Sequence, residues 1–394
     1  MSHTSAQLDV IIAGAGIGGL ATALALRQHG HRVRIYERAT ELTEVGAGLQ
    51  VSPNSTRVLD SLGLGSGLAR TGVRPVRLES RDWQDGRLLG VHAMNTDPPQ
   101  YGAYHYLIHR AELLDILTEA VPSQLVHLGR AVTDVVRNDD RVTVRLSDGE
   151  TVSGDLLIGA DGIHSTVSTV MFGTSRPRFS GTVAYRALLP AHEAEDLKLE
   201  NTSTKWWGPV VEHHLVHYFV NSGSTVNIIA VVPEDDWQTE SWTAQGEPDD
   251  LANAFKDYAW PIPDLVKRAG TPLKWALHER DPLQRWCTGR VALLGDACHP
   301  MVPFLAQGSA MAIEDAAVLA RCLDQVSRVG VERALQTYEA TRKARTSRIQ
   351  QGARVDTPET WKLRDWIYEY DATSTPLIDP TNTLSTITDG DTAT

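Results

Sequence analysis

The sequence predicts an α/β fold: a parallel sheet split by an inserted, mostly antiparallel sheet, with helices closing the chain. Three observations carry this. The first forty residues read strand, turn, helix, strand. Buried-strand patterns return at 155–160 (DLLIGA) and 291–294. Between them, from about 181 to 277, the chain changes to long strand-like runs joined by polar loops.

Element by element, residues 9–13 (DVIIA) form a short apolar, β-rich run and 14–19 a turn. Leu20, Ala23, Leu24 and Leu26 recur at helical spacing as far as Gly30, a helix-ending glycine. Val33, Ile35 and Tyr36 make a second strand closed by Glu37, giving one βαβ unit, the nucleus of a parallel sheet. Helices are expected over 53–62 and 110–120, and alternating strands over 132–146 with a turn at Asp148–Gly149. In the inserted region the strand runs are TVAYRALL, HHLVHYFV and TVNIIAVV, with a helical patch near 251–258. Residues 309–323 read as an amphipathic helix and 333–351 as a basic one. The tail, 372–394, is rich in Thr, Ser and Asp and is expected to be loosely held or to wrap the surface.

With 42% hydrophobic and 22% charged residues, 394 residues can bury a sizeable core, which excludes wholesale disorder. The net charge of −12 argues against a nucleic-acid binder, which needs a basic footprint. It leaves an anionic small substrate open, because a local field can oppose the global one. Cys287, Cys298 and Cys322 are an odd set without a CxxC pair, which speaks against a disulfide framework and a zinc site. No metal is expected, and the home is a reducing cytoplasm. The apolar stretch 10–26 lacks a basic leader and is interrupted by Gly14, Gly16, Gly18 and Gly19, so no targeting segment and no membrane contact are expected.

Three motifs carry chemistry. Gly14-Ala15-Gly16-Ile17-Gly18-Gly19 satisfies G-x-G-x-x-G between a strand and a helix. Gly14 permits the tight turn, Gly16 lets the backbone approach a pyrophosphate, and Gly19 lets helix and strand pack closely. Glu37, closing the second strand, fits a ribose-hydroxyl acceptor. The second motif is Gly159-Ala160-Asp161-Gly162-Ile163-His164-Ser165, and the third Gly295-Asp296-Ala297-Cys298-His299-Pro300, continuing to Pro303 and Gln307-Gly308. An aspartate ending a buried strand can bind a polyol, and the helix start that follows can meet an anion.

In this order and spacing, the trio resembles the single-component FAD-dependent aromatic hydroxylases, over residues from about 9 to 370. The chain is most similar to the salicylate, 3-hydroxybenzoate and 6-hydroxynicotinate hydroxylases. The resemblance implies a Rossmann-like FAD-binding domain in two parts, 1–180 and 281–371 with C-terminal helices. It also implies a substrate domain at 181–280, joined by a small segment at about 76–103, and leaves 372–394 as a polar tail. Gly14, Gly16, Gly19 and Glu37 would serve the ADP half of FAD, and Arg38 and Asp161 would also bind the cofactor. Asp296 would meet the ribityl chain, and Gly308, Ser309 and Ala310 would point a helix N-terminus at the flavin's pyrimidine edge, where an anionic reduced ring is stabilised. Arg110, in HRAEL, matches a family arginine that contacts FAD. The implied activity is an NAD(P)H- and O2-dependent hydroxylation of a phenolic or hydroxypyridine carboxylate through a flavin hydroperoxide, by a monomer or homodimer. One departure concerns Ser168, which stands where the family usually carries an arginine implicated in NADH or NADPH use. No second dinucleotide fingerprint exists, as suits a nicotinamide that docks transiently.

On the substrate side, strand alternation places His214, Val216 and Tyr218 on one face and His213, Leu215 and His217 on the other. The pair His214 and Tyr218 matches the spacing of a pair that related hydroxylases set over the substrate. A histidine can take the phenolic proton, and a tyrosine hydroxyl can relay it or bind the phenolate oxygen. The plainer alternative is a pair of ordinary strand residues. Gln50 falls, by resemblance, near the flavin's reacting face. His299 reads as a structural loop residue, Cys298 as a small filler, and Trp206 and Trp207 as packing. Two competing readings remain, a flavin halogenase, whose W-x-W-x-I-P signature is absent, and a non-hydroxylating flavin-binding protein.

Overall fold

The computed structural model describes residues 7–42, 47–137, 140–174, 176–234, 243–355, 357 and 363–381. β1 (Asp9–Ala13) enters α1 (Ile17–Gln28), and β2 (Arg32–Tyr36) returns beside it. β3 (Gly48–Val51), α2 (Pro53–Ser61) and α3 (Gly65–Thr71) lead to the hairpin β4 (Arg77–Asp82) and β5 (Leu88–Ala93). β6 (Tyr106–His109) pairs with β3 and runs into α4 (Arg110–Ala120). β7 (Val126–His127), β8 (Val132–Arg137), β9 (Val142–Leu146), β10 (Thr151–Gly154), β11 (Leu156–Gly159) and α5 (Thr166–Phe172) follow. Next come β12 (Arg178–Pro190), β13 (Thr202–Trp207), β14 (His214–Val220), β15 (Thr225–Pro233), α6 (Pro248–Phe255), α7 (Ile262–Arg268) and β16 (Leu273–Glu279). The chain closes with β17 (Cys287–Thr288), β18 (Val291–Leu293), α8 (Gly308–Leu323), α9 (Val331–Arg354) and α10 (Leu363–Tyr368).

Two sheets dominate. The first has the order β17-β18-β11-β1-β2-β7, parallel except for the β17 edge. Apart from Asp9 at the start of β1, its central strands are apolar and buried, as the middle of a parallel sheet requires. The second has the order β16-β12-β15-β14-β13-β4-β5. It is antiparallel except where β13 runs parallel to β4, so the early hairpin extends the sheet built from the later region. The strands 132–146 do not join either; with β10 they form a three-stranded sheet of their own.

The second sheet has two different faces. Tyr185, Leu215, Ile228 and Ala230 point into a core shared with α6 and α7. Their alternates Arg186, Val216 and Ile229 point the other way, into a cleft against the parallel sheet. The tail is held as far as the described residues reach: Ala372 is buried, its carbonyl accepting from Arg321 at 3.0 Å, and the Ile378 N–H donates to Thr341 Oγ1 at 2.9 Å. Residues 382–394 lie outside the described part.

α8 is buried almost all round, including Glu314 and Asp315 at 0% exposure. Their charges are met from α9. Arg342 donates to Glu314 at 2.6 Å and Asp315 at 2.8 Å, and Arg345 binds both Glu314 oxygens at 2.9 Å. The free side of Asp315 binds His299 Nε2 at 2.6 Å and the Gly295 N–H at 3.2 Å. The network therefore fastens the 295–307 loop, one wall of the cleft, to the helix beneath it. Burial alone would raise both carboxyl pKa values; the facing cations outweigh it and hold both below the usual range. A depressed carboxyl pKa adds stability above the unfolded value and loses it as pH falls through the folded one, so this contribution fades only below about pH 4. Arg342→Met leaves two buried carboxylates undercompensated and is expected to cost about 3–5 kcal/mol in urea unfolding. A cost below about 1 kcal/mol would show that the pairs are not coupled to the fold.

Candidate active site

Three turns at the carboxyl ends of β1, β11 and β18 meet at the mouth of the cleft. Gly14 leaves β1 at φ +101°, and a Cβ there would lie 2.3 Å from the Ala160 carbonyl oxygen. A Cβ on Gly19 would lie 2.1 Å from the Gly14 carbonyl oxygen. Both glycines are demanded by packing, whatever the cleft holds. Gly16 is different: it has φ −72°, lines the cleft, and a Cβ on it would meet nothing within 4 Å. Glu37 ends β2 with its carboxylate on this turn, accepting from the Ala15 N–H at 2.7 Å and the Ala39 N–H at 2.8 Å. Arg38 beside it is exposed.

At the second turn the Asp161 carboxylate is turned inward, accepting from Ser165 Oγ and from the Val167 N–H at 3.1 Å, at the start of α5. Burial raises its pKa against those bonds. Gly162, Ile163 and His164 line the cleft in its place. Ser168 is fully buried, its hydroxyl donating to Thr174 Oγ1 at 3.1 Å. At the third turn Asp296 is exposed on the cleft wall. Burial pulls the Arg110 guanidinium below its usual pKa, and Asp296 opposes that pull.

Two long helices open here. Gly16 begins α1 and Gln307 begins α8, neither with a side-chain cap. The Gln307 amide is committed elsewhere, donating to Ser52 Oγ and accepting from Asn54, both at 3.1 Å. The first-turn N–H groups of both helices are thus left for a ligand, the arrangement that suits pyrophosphate at one helix and an electron-rich ring edge at the other. Gly308 and Ser309 line the cleft, with Ala310 buried behind them. The open cradle at Gly16, the acid at Glu37 and these uncapped helix ends fit a dinucleotide flavin.

The far side of the cleft, about 400 Å³ in all, is the face of the second sheet. Register sets out three rows across it. Ala184, Val231, His214 and Trp207 make one, and Arg186, Ile229, Val216 and Lys205 the next. Asn227 and Tyr218 belong to the third. His214 and Tyr218 do share the cleft face of β14; four residues apart, they bracket Val216 across about 13 Å of strand.

His214 Nδ1 donates to the Val211 carbonyl at 3.0 Å, which leaves Nε2 as the ring's acceptor. Burial first, then the charge of Lys205, drives its pKa well below the ordinary histidine value. Burial raises the Tyr218 phenol, with Arg186 opposing. The imidazole is therefore a neutral acceptor and the phenol a neutral donor around pH 7. Gln50 donates through Nε2 to Ser203 Oγ at 3.2 Å and also faces the cleft. The other face of β14 is structural: His217 accepts from Trp206 Nε1 at 3.2 Å, and His213 pairs with the Tyr258 hydroxyl at 2.8 Å. Trp207 Nε1 is taken by Ser80 at 2.6 Å, and neither tryptophan lines the cleft.

Several cleft residues were not singled out from sequence. Arg186 had a usable signal, as a lone charge within the apolar run TVAYRALL. Lys205, on the row of Arg186, holds its ammonium 3.9 Å from the Trp207 ring centre. Arg364 and Tyr368 reach the cleft from α10, and nothing in the local sequence marks them. Among the described residues no cluster suited to a metal ion exists, and no helix is long and apolar enough to cross a membrane.

A profile of the FAD binding domain family matches residues 7–353. The chain is 35% identical to 6-hydroxynicotinate 3-monooxygenase of Pseudomonas fluorescens over 382 residues, 94% of this chain and 97% of that one. It is 39% identical to 3-amino-4-hydroxybenzoate 2-monooxygenase of Streptomyces cremeus over 352 residues, 88% of this chain and 86% of that one. Among solved structures, HpxO of Klebsiella pneumoniae, complexed with FAD and uric acid, superposes with a TM-score of 0.79 at 30% identity, covering 92% of this chain and 93% of its own.

Proposed function

The chain belongs to the FAD-binding-domain family of single-component aromatic hydroxylases, and from that premise we propose that it hydroxylates a phenolic or hydroxypyridine carboxylate with NADH or NADPH and O2. The observation that carries the reading is the pairing, on one face of β14, of a neutral imidazole acceptor with a neutral phenol donor. FAD, when bound, supplies hydride acceptance and oxygen activation. Gly14, Gly16, Gly19, Glu37 and Arg38 would hold its ADP half, with Asp161 shaping the turn beneath. Arg110, Asp296, Gly308, Ser309 and Ala310 would hold the ribityl chain and ring.

His214 Nε2 takes the proton of the ring hydroxyl. Its lowered pKa keeps it unprotonated before substrate arrives, and the oxyanion left behind stabilises the imidazolium that forms. Lys205, the cation nearest in effect to His214, favours that oxyanion. Losing the proton enriches the carbons ortho and para to the oxygen, the positions an electrophilic oxygen attacks. Tyr218 donates to a second oxygen of the substrate, and Gln50, fixed by Ser203, offers Oε1 as an acceptor beside the ring. Three free cysteines suit a cytoplasmic enzyme, working as a monomer or homodimer without nucleic acid or membrane partners.

The test is NADH and NADPH oxidation by the FAD-loaded protein with 6-hydroxynicotinate, 3-hydroxybenzoate and 3-amino-4-hydroxybenzoate. We expect at least one acid to accelerate oxidation and to gain one oxygen atom in matching amount. Oxidation with no acid accelerating it, or acceleration yielding only hydrogen peroxide with all three, would overturn the reading. A mere flavin-binding module would show neither.

A further inference from the structure

Arg186 is a charge without a counter-charge. It sits on β12 among Tyr185, Ala187 and Leu188, and its side chain lines the cleft. Its guanidinium lies 3.9 Å from the Trp275 ring centre, stacked on the neighbouring strand. Among the described residues no carboxylate or carbonyl accepts a hydrogen bond from it, and its Nε is buried without any partner. The titratable groups that face it are Tyr218, an electrostatic neighbour across the sheet, and Arg110, a second cation. Burial, with Arg110 adding to it, lowers its pKa to about 10, so it still carries its charge at pH 7.

A cation half-buried in apolar surroundings usually has an acidic or carbonyl partner, and the stacking supplies only part of what water gave up. The arginines under α8 follow the rule: Arg342 and Arg345 each meet two or more acceptors there. The unpaired donors of Arg186 therefore point to an anion brought in by a ligand. Their fork geometry matches a carboxylate's two oxygens, which a single ammonium does not. Position narrows the assignment. Arg186 is coupled to Tyr218, while Lys205 is coupled to His214 at the other end of the face. Between them Ile229 and Val216 form an apolar floor on the same row.

We propose that Arg186, with Tyr218 beside it, is the carboxylate receptor of the substrate site, so that an aromatic acid lies over Ile229 and Val216 with its hydroxyl directed to His214. This rests on the functional reading above. It goes further by stating which group selects acids over neutral phenols, and from which strand.

The experiment uses the FAD-loaded enzyme and three probe pairs, 6-hydroxynicotinate, 3-hydroxybenzoate and 3-amino-4-hydroxybenzoate, each against its carboxamide. Binding is read from the perturbed flavin spectrum. In the parent the acid of the best pair should bind more tightly than the amide. Arg186→Met should weaken the acid by roughly 10- to 150-fold and the amide by less than about threefold, because only the charge-assisted bonds are lost. Without ligand the same variant should melt at least as high as the parent, since a half-buried charge with no counter-charge has been replaced by an apolar chain of similar reach. Arg186→Lys keeps the charge and loses the fork, so it should still prefer the acid, more weakly; it carries the test should the methionine variant fail to accumulate.

Equal losses for acid and amide, or a lower melting point with the acid preference intact, would reduce Arg186 to a packing residue. Loss of FAD, or slower flavin reduction without substrate, would put the anion on the cofactor and equally overturn the assignment. If the parent itself binds none of the six probes and oxidises no NADH or NADPH in response, the functional reading falls and this one with it. If the parent prefers the acid and Arg186→Met prefers it just as much, only the receptor falls.

Discussion

Gly16→Val is expected to yield a folded, colourless protein. Valine at this position meets no heavy atom of the chain within 4 Å of its Cβ, and the φ of −72° is one that any residue adopts. The fold loses little beyond the N-cap preference for glycine over valine at the head of α1, about 1 kcal/mol. The cofactor loses far more, because the branched side chain occupies the space through which a pyrophosphate must approach the α1 amides. The measurement is the ratio of visible flavin absorbance to protein absorbance after purification, together with melting in the presence and absence of added FAD. The parent's melting point should rise with FAD, as binding linkage requires, and the variant's should not move. Gly14→Ala and Gly19→Ala are the contrast: each meets a backbone oxygen at 2.3 or 2.1 Å, so they should lower the melting point of the FAD-free protein as well. A yellow Gly16→Val protein would mean that this turn does not hold the pyrophosphate.

That contrast shows how unevenly the sequence speaks. The βαβ opening was legible because its signals are local: a short apolar strand, a glycine turn and a helical repeat within forty residues. The glycine motif assigned Gly14 to the turn, Gly19 to packing and Gly16 to the ligand; what it could not show is the atom each one meets. Gly14 is held by Ala160, which lies 146 residues beyond it and belongs to β11's own turn. The alternation in β14 was equally local, and it put His214 and Tyr218 on the face that borders the cleft. What could not be read was partnership. Whether an arginine is balanced depends on what the fold brings opposite it: Arg342 lies in a basic helix and Arg186 interrupts an apolar strand, and neither setting names a partner. One meets Glu314 and Asp315; the other meets an aromatic ring and open cleft. Likewise Arg364 and Tyr368 reach the cleft because α10 packs against α2, a long-range event without a local signature.

His214→Asn should slow hydroxylation by roughly 10²–10⁴-fold, the usual worth of a positioned acid–base group, while flavin reduction by NADH changes much less. Asparagine can still donate to the Val211 carbonyl, so the strand keeps its bond and only the acceptor on the substrate side is removed. Rapid-mixing measurements that follow the two half-reactions separately decide the matter. With the ring oxygen still protonated, NADH oxidation should continue in part and release hydrogen peroxide in place of hydroxylated product. The pH profile gives an independent check. Burial and Lys205 hold the imidazole well below its ordinary range, so the base is already free around neutrality. The acid limb of kcat/KM, which reports groups of the free enzyme, should therefore lie clearly below the ordinary histidine value of about 6.5. Lys205→Met removes one of the causes and should move that limb upward, though burial will keep it below the ordinary value. Tyr218→Phe deletes a donor and no base, so it should weaken binding of the acid and leave the position of the limb alone. If His214→Asn hydroxylates at the parent rate, or if it slows flavin reduction alone, the proton is taken elsewhere, and His214 is no more than a packed residue of β14.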